Sequence, residues 1–122
     1  MTDRVDRLSG LAKGDIFHAA SPNGASLICL VLAITKSTIE ARTVTTQCHF
    51  VFDRRTGIAE WGADRVPCTI DSVAPLPPDI HRVMLEIDLK FRPGKGLDDY
   101  KLTATEKHAL LFVDGHYASN RL

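Results

Sequence analysis

Cys48 and His49 are adjacent, and Asp53 follows four residues on. Thiol, imidazole and carboxylate are the parts of an activated nucleophile. The segment Gln47 to Asp53 alternates, however, with Cys48, Phe50 and Phe52 against His49, Val51 and Asp53. Neighbours on a strand point to opposite faces, so Cys48 and His49 do not meet, and no catalytic residue is assigned. Metal binding needs several convergent ligands. His18, His49, His81, His108 and His116 are scattered, without CxxC, HxxxH or HExxH spacing. Asp79 with His81, and Asp114 with His116, each offer two ligands, but exposed turns and helix ends explain them equally. The expectation is no metal and no cofactor.

Positive charge concentrates at Arg54-Arg55 and at Lys90, Arg92 and Lys95. With Trp61 as a stacking aromatic, these six residues define an alternative reading, a small barrel that grips nucleic acid. Asp53, Glu60 and Asp64 flank the arginine pair and cancel much of its field. Gly94 and Gly96 do not form a nucleotide loop, because they lack GxGxxG and do not join a strand to a helix. The stretches Arg4-Val5-Asp6-Arg7 and Asp71-Ser72-Val73 lack the spacing and closing glycine of a cyclic-dinucleotide pocket.

The elements that position these residues are organised around Ser26 to Thr46. Leu27 to Ile34 is apolar on both alternating faces, as in a fully buried strand. After a tight turn at Lys36-Ser37, Ile39, Ala41 and Thr43 face one way, and Glu40, Arg42 and Val44 the other. Gly14 to Ala20 reads as a first strand, closed by the Ser21-Pro22-Asn23-Gly24 turn. Gln47 to Asp53, Ile58 to Trp61 and Cys68 to Ala74 add three more, with Gly57 as the left-handed residue of the Arg54-Arg55-Thr56-Gly57 hairpin. About six strands with turns roughly every ten residues indicate an all-β barrel or sandwich, and so short a segment favours a closed barrel. The strand order resembles that of SH3-like barrels, a likeness of architecture that implies no particular function.

Residues 1–13 carry sparse apolar positions, Val5, Leu8 and Leu11, and read as a short helix ended by Gly10 or as a tail. Pro77 or Pro78 falls in the first turn of a helix, where a missing N–H costs nothing. Ile80, Val83, Met84, Ile87 and Phe91 form its main apolar stripe, and Leu85 and Leu89 a second on the far side. The segment 92–97 must break it. Thr103-Ala104-Thr105-Glu106 matches a capping box and predicts a last helix to about Tyr117. Leu110 to Val113 is apolar without a stripe, so a strand followed by an Asp114-Gly115 turn is the rival; the capping box decides for helix.

The fold expected is therefore α+β: one domain over 1–122, with a small antiparallel SH3-like barrel at 14–76 and two C-terminal helices in 77–122. At 122 residues the chain can bury one core without disulfide or metal. Net charge is zero and evenly spread, eight cations and eight anions in 1–76 and seven of each in 77–122, which argues against a strongly charged partner surface. Three widely spaced cysteines, Cys29, Cys48 and Cys68, read as buried thiols in a reducing compartment. The N-terminal residues lack a signal-type apolar core, and no apolar run is long enough to span a bilayer, so the cytoplasm is the expected location. The functional expectation is a non-enzymatic binding or regulatory module acting through protein contacts or as a homodimer, by Leu85, Leu89, Leu110, Leu111 and Phe112. Nucleic-acid binding is the first alternative and a small-molecule enzyme the second.

Overall fold

A computed structural model describes residues 3–61, 66–92 and 102–122. Its elements are α1 (Asp3–Ser9), β1 (Ile16–Ala20), β2 (Ser26–Ile34), β3 (Thr38–Thr43), β4 (His49–Asp53), β5 (Ile58–Trp61), β6 (Val66–Ser72), α2 (Pro78–Phe91) and α3 (Ala104–Ser119). The six strands form one antiparallel sheet in the order β4-β3-β2-β1-β6-β5. The outer strands β4 and β5 are consecutive in the chain and joined by a tight turn, so the sheet curls into a nearly closed barrel. Gly57 closes that turn at φ 73°, and its N–H donates to the Asp53 carbonyl at 2.8 Å. The α+β architecture agrees with the SH3-like barrel and two helices expected from the pattern.

β2 is apolar on both faces because the sheet separates two cores. Inside the barrel, Phe17, Cys29, Val31, Ile39, Ala41, Phe52 and Ile70 pack together, with Phe17 and Phe52 edge to face at 5.3 Å. The N-terminal residues form a helix rather than a tail: α1 and the turn after it place Leu8 and Leu11 in this core. On the outer face, Ile16, Leu30 and Val44 meet Met84, Ile87 and Phe91 of α2 and Ala109, Val113 and Tyr117 of α3. Each large side chain buried here contributes about 1.5–3 kcal/mol.

Two strand details depart from the sequence reading. β6 begins at Val66, ahead of the expected Cys68, and so includes Pro67. Val66 to Thr69 pair with β5, whereas pairing with β1 starts only at Thr69, so proline's missing N–H costs no ladder bond on that side. In β2 the register with β3 shifts between Val31 and Ala33, leaving Leu32 in a bulge and only half-buried. Bulges of this kind bend a strand and help close a small barrel.

Pro77 precedes α2, with Pro78 at its first position, as the sequence predicts. α3 carries the full capping box: the Glu106 N–H donates to Thr103 Oγ1 at 3.1 Å, and the Thr103 N–H donates to Glu106 Oε1 at 2.8 Å. The strand alternative for Leu110 to Val113 is thereby replaced by helix. Beyond Arg92, the helix-breaking segment lies outside the described residues. α2 and α3 run antiparallel. Lys90 Nζ bonds Glu106 Oε1 at 2.6 Å at one end, and His116 Nε2 bonds the Pro75 carbonyl at 3.0 Å at the other.

A buried carboxylate fixes α2 to the sheet. Asp88 has a side chain only 1% exposed. It accepts from Arg42 Nε at 3.0 Å and Nη2 at 2.8 Å, from Gln47 Nε2 at 2.9 Å, and from Arg92 Nε at 3.0 Å. Burial alone would raise its pKa; the bonds from Arg42 and Gln47, and the Arg42 charge, overcome that and hold it below the ordinary carboxylate value. Gln47 adopts φ 58°, unusual for a residue with a side chain, and its amide also bonds the Val44 carbonyl at 2.8 Å. No helix among the described residues is long and apolar enough to cross a membrane.

Candidate functional site

The β1–β2 hairpin turns at Ser21 to Gly24, with Gly24 at φ 85° and its N–H donating to the Ser21 carbonyl at 2.9 Å. Its register sets Ala20 opposite Ser26 and His18 opposite Ile28. Phe17 and Ala19 point into the barrel, so His18, which alternates with them, lies on the outer face beneath α3. It is only 6% exposed there, and its ring is 5.5 Å from that of Tyr117.

Both ring nitrogens of His18 are engaged. Nδ1 lies 2.5 Å from Asp71 Oδ1 on β6, and Nε2 lies 2.5 Å from Ser26 Oγ on β2. The chain of contacts continues both ways: Arg121 Nη1 donates to Asp71 Oδ2 at 3.0 Å, and Ser26 Oγ donates to Asp114 Oδ1 on α3 at 3.3 Å. Hydroxyl, imidazole and carboxylate thus stand in the order in which an imidazole takes a hydroxyl proton while a carboxylate holds its tautomer.

Asp114 limits this chemistry. Ser26 has one hydroxyl proton and two candidate acceptors. If the ring is neutral with its proton on Nδ1, the Ser26 proton goes to Nε2 and Asp114 receives nothing from it. If the ring is protonated, Nε2–H donates to Ser26, which then donates to Asp114. A carboxylate this close to the nucleophile also opposes the negative charge that acyl transfer would build there. The cluster links β6, β1, β2 and α3, so it is a polar staple as well as a candidate proton relay.

A cleft of about 630 Å³ opens beside it, sharing Arg121. Leu11, Ile16, Val73 and Leu76 give it an apolar floor, and Arg7, His81 and Arg121 give it cationic or titratable groups. His81 Nε2 bonds the Gly14 carbonyl at 3.0 Å.

The residues singled out from sequence are distributed as follows. Leu85 and Leu110 are half-buried against the outer core. Leu89, Leu111 and Phe112 are exposed, at 57%, 74% and 39%. At about 100° per residue, Leu85 and Leu89 lie roughly 100–140° around α2 from Lys90, the side chain that reaches α3. They therefore sit away from the α2–α3 seam. The Phe112 ring stacks on His116 at 5.7 Å.

Among the basic candidates, Arg54 is part-buried and donates to the Thr35 and Ser9 carbonyls at 3.0 and 3.2 Å, tying the hairpin to α1 rather than standing in solvent. Lys90 holds Glu106, Arg92 holds Asp88, and Arg55 is exposed. The Trp61 side chain and Lys95 lie outside the described residues. Cys48 is half-buried against the barrel core and His49 is exposed. Among the described residues no group of three His, Cys, Asp or Glu side chains is placed to hold a metal ion.

Sequence reasoning missed the His18 cluster. Its members come from positions 18, 26, 71, 114 and 121, brought together only by strand register and helix docking. Strand alternation does place His18 on the face away from Phe17, and that was the one local signal. The chain matches no family model, no curated protein and no solved structure.

Proposed function

We propose that the chain is a binding module that works through protein contacts on the outward face of its helix layer. The observation that carries this reading is the exposure of Leu89, Leu111 and Phe112 on α2 and α3. An unstriped apolar helix has more apolar surface than one sheet can cover, and the adjacent Leu111 and Phe112 leave part of that surface in water. The internal pairing of Arg54, Lys90 and Arg92 also favours an apolar contact over an electrostatic one. A second copy of the chain is the simplest occupant, since a two-fold pairing brings the same leucines face to face. The test is Leu89→Lys combined with Leu111→Lys, followed by light scattering and circular dichroism. A dimeric wild type and a folded monomeric variant are expected. A wild type that stays monomeric at all concentrations removes the self-association reading.

A second reading, acyl transfer at Ser26, rests on the Ser26–His18–Asp71 order. In it, the Ser26 oxygen attacks an ester carbonyl as its proton passes to His18 Nε2, and the same proton leaves with the alcohol. A fluorophosphonate reagent should then label Ser26, and His18→Gln should abolish the labelling. An unlabelled wild type leaves the cluster as a staple.

A further inference from the structure

The cleft bounded by α1, the start of β1, the segment before α2 and the end of α3 combines three features. Its volume, about 630 Å³, falls in the range of roughly 300–1,000 Å³ typical of small-molecule sites. Its floor is apolar. Its charged lining is unbalanced: Arg7 and Arg121 face one carboxylate, Asp15. That carboxylate is already occupied, since Asp15 Oδ2 accepts from the Ala12 N–H at 2.9 Å. The Arg7 guanidinium has no hydrogen-bond or ion-pair partner among the described residues. Arg121 gives Nη1 to Asp71 and, with a side chain 58% exposed, keeps other N–H groups turned to water.

We infer that this cleft is a binding site for an amphiphilic anion, a small molecule with an apolar body and a carboxylate or phosphate head. The body lies on Leu11, Ile16, Val73 and Leu76. The head meets the two guanidiniums, which suit planar or tetrahedral oxyanions. A cation is repelled by the same pair, and a neutral alcohol gains only the apolar part. This site is separate from the exposed leucines of the helix layer, so it stands or falls independently of the protein-contact reading.

Arg121 also connects the cleft to the His18 cluster. A bound anion competes with Asp71 for Arg121, so occupancy is felt at His18 through Asp71.

The test is a titration followed by amide and histidine resonances, using decanoate, decyl phosphate, decanol and decylammonium at matched submicellar concentrations. Decanoate or decyl phosphate should shift Leu11, Ile16, Val73 and Leu76 and move the His18 ring signals. The preferred head group distinguishes a carboxylate ligand from a phosphate one. Arg7→Gln and Arg121→Gln, each made singly, should weaken binding about tenfold. Arg7 is an exposed residue at a helix end, so its variant is expected to fold even if the other does not. Equal binding of decanol, preference for decylammonium, shifts confined to other surfaces, or no response to either anion overturns the inference.

Discussion

Replacing Asp88 with alanine tests how the helix layer is held on the barrel. Four hydrogen bonds converge on this carboxylate, two from Arg42 and one each from Gln47 and Arg92. Their strengths differ. Arg92 is 49% exposed and can return to water, so its bond contributes about 0–1 kcal/mol. Arg42 is 21% exposed and loses most of its compensation when the carboxylate goes. Breaking a buried pair costs about 3–5 kcal/mol, and the partial exposure of Arg42 puts this one near the lower end, about 3 kcal/mol. With a urea slope of about 1.5 kcal/mol per molar, the midpoint should fall by about 2 M at neutral pH. Acid supplies the control. The folded carboxyl titrates below its ordinary value, so its contribution is complete above the unfolded pKa of about 4 and is lost as pH falls through the lower folded value. The gap between wild type and variant should therefore shrink on acidification. A midpoint loss under about 0.5 M at neutral pH, or a gap that widens in acid, would refute this account.

Gln47→Gly should be less damaging than Gln47→Ala by about 1 kcal/mol, because both lose the Asp88 bond but glycine relieves the positive φ; urea midpoints of the two variants decide it. Leu30→Ala should cost about 2–5 kcal/mol and Leu32→Ala about 1–2, since Leu32 is half-buried at the bulge; equal losses would contradict the bulge assignment. A thiol reagent should modify native Cys48 first. Cys29 and Cys68 should follow only on unfolding, because burial pushes both thiols up and shields them. Mass spectrometry of native samples showing Cys29 labelled first would contradict the buried pair.

Local pattern revealed most of the fold. Alternation located the strands, the proline step located α2, and the Thr103–Glu106 box decided α3 against a strand. These signals act within a few residues, where propensity and capping operate. The Leu32 bulge was not legible, since every residue of β2 is apolar or small enough to suit either register. The Asp88 centre was hidden for another reason. Arg42, Gln47 and Asp88 each look like ordinary surface residues, and only the docking of α2 on β3 buries them together. Arg54 misled in the same way, a hairpin arginine whose real partners are carbonyls of a turn and a helix end. The candidate site was the least legible part, because its polar groups come from five separate places in the chain.

The order of the sheet has a consequence for how the barrel is assembled in time. Four of its five hydrogen-bonded seams join strands that are neighbours in sequence, separated by only a few residues. The seam between β1 and β6 joins segments some fifty residues apart, with His18 on one side and Asp71 and Ser72 on the other. Loop-closure entropy falls mainly on this seam, which makes it the step that sets the folding rate once the hairpins exist. The His18–Asp71 contact spans it. The residues that bring a proton-bearing ring, a carboxylate and a hydroxyl together are thus also those that mark the moment when the barrel becomes a barrel.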